Sequence, residues 1–215
     1  MIDWWLFFLK KAFLLGLSVF FYGGTSFGVS MLNPFFDRFI FTNGIRFSNN
    51  QFFLMNTPFA ILPVDILVGL AEISDPATNR AVYAAVKKQV AGSLVSGFSL
   101  SNSVELNARF LAEFFSACGI GGVSIVHLDV ENKRAILVVD HNPIAGSLVN
   151  KAKKPVDHVL RGVFAGVFSA LFRNDLDCVE HQCIALNQKT CEFIVKPVHE
   201  FDFSKEEPKD QLELK

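Results

Sequence analysis

An α/β domain of the α+β kind, with mixed helices packed on antiparallel hairpins, is what this sequence predicts. Three observations lead there. Runs rich in Phe and Ile, "DRFIFTNGIRFSN" and "NQFFLMNTPF", are β-prone and separated by Asn and Gly turn signals. Three segments between residues 63 and 118 place apolar side chains at helical spacing. Two further pairs of β-prone runs, each joined by a short polar stretch, flank one more helical segment. The chain has 215 residues, 51% of them hydrophobic, enough for one substantial core.

The elements follow in order. "PVDILVGLAEIS" carries Val64, Leu67, Val68 and Ala71 at helical spacing. "DPATNRAVYAAVKKQVAGSLVSGF" opens with Asp75 as N-cap and Pro76 at the first helical position, where a missing N–H is harmless. A third helix, "NSVELNARFLAEFFSACGIGG", runs from an Asn or Ser cap to a glycine stop, with Leu106, Phe110, Leu111 and Phe114 on one face. Cys118 at its end reads as a buried small hydrophobe. "GVSIVHLDV" and "RAILVVDH" are strands joined by "ENK", and His127 between apolar neighbours reads as a structural residue. Pro155 then opens the helix "PVDHVLRGVFAGVFSALFRN", in which Gly162 and Gly166 stand four apart and let another backbone approach closely. The last hairpin is "LDCVEHQCIAL", a turn at "NQK", and "TCEFIVKP".

Twenty Lys plus Arg against twenty-one Asp plus Glu leave a formal charge of -1 with no dense basic block, which speaks against nucleic acid as a partner. Twenty-four Phe against two Tyr and two Trp supply apolar volume without polar groups to satisfy, as a core or the wall of an apolar pocket needs. Residues 1–36 form an apolar extension without a charge from Ala12 through Phe36. The three glycines and two hydroxyls of "YGGTSFG" favour helix, turn and strand packed on the body or on a second subunit over a membrane span. Asp3 and "WWLFFL" precede the lysines, the reverse of a signal peptide. Residues 198–215 read as a charged, mobile tail.

Three of the four cysteines lie between Cys178 and Phe193, which favours a reducing compartment over a disulfide framework. With the turn centred near Asn187, Cys183 and Cys191 fall opposite each other, with Cβ atoms about 4.5–5.5 Å apart. That spacing suits two thiolates on one soft cation, zinc first, and with adjustment a disulfide. Further donors are Cys178, Glu180 and His181 on the strand and Asp157 or His158 before the glycine helix. Strand alternation sets Glu180 and Cys183 on opposite faces, so a bulge is required before both meet one ion.

Gly162 and Gly166 in "RGVFAGVF", followed by Glu180, Cys183, Cys191 and Phe193 in "EHQCIALNQKTCEFIV", resemble the hallmark of the vinyl-4-reductase domain family. Its members are small-molecule-binding relatives of the core subunits of the TRAPP vesicle-tethering complex. The resemblance covers about residues 37 to 197, and the motif itself sits in the last forty or so. It implies a vinyl-4-reductase/TRAPP-like fold over 37–197. From the phenol-sensing members attached to bacterial transcription activators, it implies that Glu180, Cys183 and Cys191 bind structural zinc. In those members a third cysteine, just after a proline, completes the site. Here that position is Asp157, two residues past Pro155, with His158 adjacent as a substitute. Asn187 and Gln188 stand where the family usually places a glycine.

The expected function is binding of an apolar small molecule, whether aromatic, acyl or tetrapyrrole-like. The pocket is Phe-lined, with Phe110, Phe114, Phe164 and Phe168 as wall candidates, in a zinc-clamped sensor or accessory domain. A homodimer in the cytoplasm, with peripheral membrane contact through residues 1–36 as an option, fits that reading. The alternatives are a TRAPP-like scaffold or membrane-tethering subunit and an accessory protein in 4-vinyl tetrapyrrole reduction. For catalysis the sequence offers no Gly-rich dinucleotide loop, no nucleophile with a positioned base and no paired carboxylates in a shared context.

Overall fold

The computed structural model describes residues 44–54, 57–95 and 101–212. The apolar extension over residues 1–36 lies outside them, as do the first residues of the run from Asp37. The described part has six α-helices and two antiparallel sheets, the α+β fold that the pattern predicts. Strands β1 (Ile45–Ser48), β2 (Gln51–Leu54) and β3 (Thr57–Phe59) form a small meander in that order. Its Leu54 joins the core, and the Phe59 ring meets Phe114 edge-on at 5.6 Å.

Helices α1 (Val64–Ala71), α2 (Pro76–Gln89) and α3 (Val104–Ala117) come next. Asp75 caps α2 by accepting from the Thr78 amide at 2.9 Å, with Pro76 in the first turn. Ser103 caps α3 through the Leu106 amide at 3.2 Å. The α2 helix runs on into a π-helical turn, Val90–Leu94. On α3 the buried stripe runs through Asn107, Ala108, Leu111, Ala112, Phe114 and Phe115. Leu106 lies well off that stripe at about 100° per residue and is 60% exposed, so it is not core. Cys118 is likewise exposed at the C-cap of α3, beyond the turn that the sheet covers.

The larger sheet has the order β4-β5-β7-β6, built from β4 (Gly122–Asp129), β5 (Arg134–Asp140), β6 (Asp177–Gln182) and β7 (Cys191–Lys196). Short α4 (Pro143–Ser147) and long α5 (His158–Phe172) lie between its two hairpins. His127 is exposed on β4, beside a bulge in the pairing with β5. The α5 helix begins at His158, three residues later than Pro155, with Asp157 at the cap position but making no cap hydrogen bond. The extended Pro155–Asp157 stretch leaves the Asp157 carboxylate free to turn inward.

Helix α5 packs on α2 through its two glycines. A Cβ on Gly162 would lie 2.8 Å from the Tyr83 carbonyl oxygen, and one on Gly166 2.6 Å from that of Lys87. No side chain fits at either place, so the spacing read from the sequence is a helix–helix contact. The charged tail is not mobile through residue 212, because α6 (Glu206–Leu212) folds against edge strand β6. No helix among the described residues is long and apolar enough to cross a membrane.

Candidate metal centre

The required bulge is present: the β6–β7 register shifts between Glu180 and Gln182. Glu180 pairs with Phe193 before the shift and Gln182 with Glu192 after it. The extra residue, His181, turns Glu180 and Cys183 to the same side. Asp157, Glu180, Cys183 and Cys191 thereby offer ligand atoms that all lie within 4.8 Å of one another, and all four residues are buried. Asn187 closes the hairpin at φ 63°, a left-handed position that Asn tolerates better than other side chains. This accounts for its standing where relatives use glycine.

Each carboxylate is held by one oxygen and free at the other. Asp157 Oδ2 accepts from the Asn142 side-chain amide at 2.7 Å, and Glu180 Oε2 accepts from the Asp157 backbone N–H at 3.0 Å. Oδ1 of Asp157 and Oε1 of Glu180 are buried without a hydrogen-bond partner. Cys191 Sγ receives the Ile184 N–H at 3.4 Å and the Asn142 amide at 3.6 Å. Burial, then the Glu180 charge, pushes the Asp157 carboxyl well above the usual range; burial, then Cys183, does the same to Glu180. Its neighbour Cys191, then burial, raises the Cys183 thiol. Two orphaned carboxylate oxygens facing two thiols are a poor set of partners for one another and a good one for a divalent cation. The residues present therefore fit zinc.

Not every predicted donor reaches the cluster. His158 points elsewhere: its ring lies by the Leu70 carbonyl, its Nε2 is buried without a partner, and it lines a separate cleft. His181, the bulged residue, is exposed and 3.6 Å from Glu207. Cys178 is buried behind β6, where its N–H donates to the Tyr83 hydroxyl at 3.1 Å.

Of the four wall phenylalanines, Phe114, Phe164 and Phe168 are buried and Phe110 partly so. Phe164 and Phe168 border a void of about 10 Å³ that also touches Leu111 and Phe115. Ring contacts run from Phe114 through Phe115 and Phe164 to Phe193, at centroid distances of 5.3, 6.3 and 5.0 Å.

Sequence reasoning missed three supports. Asn142 caps α4 with its carbonyl oxygen while its amide steadies the cluster; the "NP" pair preceding a helix was the available signal. Gln211 on α6 accepts from the Glu180 N–H and donates to the Glu180 carbonyl, both at 2.9 Å, like a neighbouring strand. Arg161 is buried and donates to the carbonyls of Cys178 and Gln211. Nothing in the pattern marked the last two.

No curated protein matches this chain. Among solved structures it is similar to the phenol-responsive sensory domain of the transcription activator PoxR, crystallised with phenol. Identity is 12% over 86% of this chain and 99% of that one, with a TM-score of 0.66. It is also similar to a trafficking protein particle complex subunit 3 from Naegleria fowleri covalently bound to palmitic acid, at 17% identity over 61% and 87% and a TM-score of 0.43. A vinyl-4-reductase family protein from Methanocaldococcus jannaschii is 17% identical over 64% and 96%, with a TM-score of 0.33. Residues 136–197 match the family model of the vinyl-4-reductase domain, and that stretch contains Asp157, Glu180, Cys183 and Cys191. The protein therefore belongs, through this stretch, to the vinyl-4-reductase domain family.

Proposed function

We propose that this chain is a small-molecule-binding sensor or accessory domain whose glycine helix and final hairpin are tied together by one structural zinc ion. The observation that carries the reading is the buried set of Asp157, Glu180, Cys183 and Cys191, with one orphaned oxygen on each carboxylate. A divalent cation there would neutralise charges that burial otherwise disfavours and join the start of α5 to β6 and β7. With four protein donors the shell is closed, as in structural rather than catalytic zinc sites.

Support for the ligand comes from the shared fold: the similar PoxR domain holds phenol. The Phe-rich space around Phe164 and Phe168 is the proposed wall for an apolar guest, with Phe110 and Phe114 one layer further out. As it stands that void is about one water in size, so a guest enters only as the rings rotate apart. The working unit is proposed to be a homodimer.

Elemental analysis and native mass spectrometry of full-length protein, purified without chelator or detergent, test this directly. One zinc per chain, a dimer mass and a titratable phenol-bound species are expected. Metal-free protein overturns the clamp, and absence of phenol binding by calorimetry overturns the apolar pocket.

A further inference from the structure

A cleft of about 960 Å³ opens between the α1–α2 junction, the loop before α5, and α6. It shares no lining residue with the phenylalanine-bordered void and does not depend on it. Its size is in the range of small-molecule sites, about 300–1,000 Å³. Ala71, Ile73, Leu148, Ala152, Pro155 and Val156 give it an apolar surface.

Arg161 also lines this cleft, although only 5% of the residue is exposed. Its Nε donates to the Cys178 carbonyl at 3.0 Å and its Nη2 to the Gln211 carbonyl at 2.7 Å. The guanidinium carbon lies 4.6 Å from the centre of the Tyr83 ring. Those partners are neutral. Among the described residues no carboxylate forms an ion pair with Arg161, and its Nη1 meets no acceptor. A buried cation without a counter-charge is costly, and a guanidinium with an unused nitrogen is a ready partner for a carboxylate. His158, one helical turn back on the same face, brings its unpartnered Nε2 to the same wall.

The surrounding charge points the same way. Six cationic and four acidic side chains line the cleft. Of the acids, Asp210 is engaged by Lys154 and Glu207 is near His181, while Glu72 and Glu206 stand at the rim. Lys151, Lys153, Lys205 and Arg80 lie in no ion pair among the described residues. One buried guanidinium with one free nitrogen matches a single negative charge better than a phosphate dianion.

We propose that this cleft binds an amphipathic monoanion, a small molecule with an apolar body and a carboxylate head, and that Arg161 receives the head. The apolar body lies along Ala71, Ala152 and Val156.

Calorimetric titration of the full-length protein with octanoate, 1-octanol and octylammonium tests this with three probes of one chain length. Octanoate is expected to bind about tenfold more tightly than octanol, the worth of one charge-assisted hydrogen bond, and octylammonium not to bind. Arg161→Gln should abolish the preference for acid over alcohol. Because Arg161 also anchors two carbonyls, its loss can unfold the protein, so Ala152→Trp provides the second arm. It fills the apolar side of the cleft without touching Arg161 and should abolish octanoate binding while zinc content and melting temperature stay at wild-type values. Equal affinity for octanoate and octanol, no binding of octanoate, or octanoate binding that survives Ala152→Trp would each overturn the proposal. None of these results bears on phenol binding or zinc content, so the zinc-clamped domain stands or falls separately.

Discussion

Asp157 shows how one side chain changes the character of a site. An oxygen donor stands where relatives place a thiolate, and Asn142 holds one of its oxygens so that the other faces Glu180 and the two sulfurs. Asp157→Cys should therefore strengthen zinc retention against a competing chelator, because a third soft donor suits this ion; faster loss than wild type would refute that. Asp157→Ala should lose stoichiometric zinc and His158→Ala should keep it, since only the first residue belongs to the cluster. Cys183→Ser or Cys191→Ser should remove the zinc and lower the melting temperature, with about 2–4 °C for each kcal/mol lost in a domain of this size. Cys118→Ser should do neither. The metal-free protein has its own pH signature. The folded-state pKa values of Asp157 and Glu180 are raised above their unfolded values, so the folded chain binds more protons. Their contribution to stability is complete below the unfolded carboxyl range and is lost as pH rises through the folded values. Melting in chelator should thus weaken with rising pH, and zinc should restore more stability at neutral pH than in acid. All four donors were legible in the sequence. Choosing between Asp157 and His158 was not, because adjacent residues at a helix start differ in direction only once the start is placed.

At the scale of elements, the glycine spacing and the hairpins were readable because both rest on local periodicity. Gly166→Ala should destabilise by about 1–3 kcal/mol through overpacking, since its Cβ would lie 2.6 Å from a backbone oxygen and 2.8 Å from Val90 Cβ. Gly162→Ala, with corresponding distances of 2.8 and 2.9 Å, should be milder. Equal melting of both variants and wild type would show that α2 and α5 separate more easily than this contact allows. The bulge was inferable as a necessity, because Glu180 and Cys183 cannot share a face of a regular strand. The start of α5 was misplaced because a proline suited to the first helical turn also suits the extended approach to it. Helix α6 escaped notice because its charges, Glu206, Glu207, Lys209 and Asp210, look like a solvated tail, while the residues that fasten it are Pro208 and Gln211. Gln211→Ala should leave the Glu180 N–H and carbonyl without partners and cost about 1–3 kcal/mol. The loss would appear as faster hydrogen exchange at Glu180 and a lower melting temperature; unchanged exchange would mean that α6 merely rests on the sheet.

For the whole molecule, the fold class followed from element order, whereas the fate of the phenylalanines did not, since composition cannot separate a wall from a core. Packing uses most of those in the described part, linking α3, α5 and β7 through successive ring contacts. The surface keeps apolar residues all the same: Phe47 is 69% exposed, Ile61 82% and Leu62 57%. Exposed apolar groups of this kind, when contiguous, mark interaction surfaces. The uncharged stretch from Ala12 through Phe36 is apolar sequence that also needs a partner. We expect it to be covered by the protein or a second subunit, as its glycines and hydroxyls favour turns over an uninterrupted span. Deleting residues through Phe36 should then leave apolar surface bare, and the truncated protein should aggregate at concentrations where the full chain stays monodisperse by light scattering. A membrane anchor predicts the opposite, a truncated protein that becomes better behaved and needs no detergent. A monodisperse, folded 37–215 fragment would therefore remove the packing role and turn attention to lipid as the partner of the amino end.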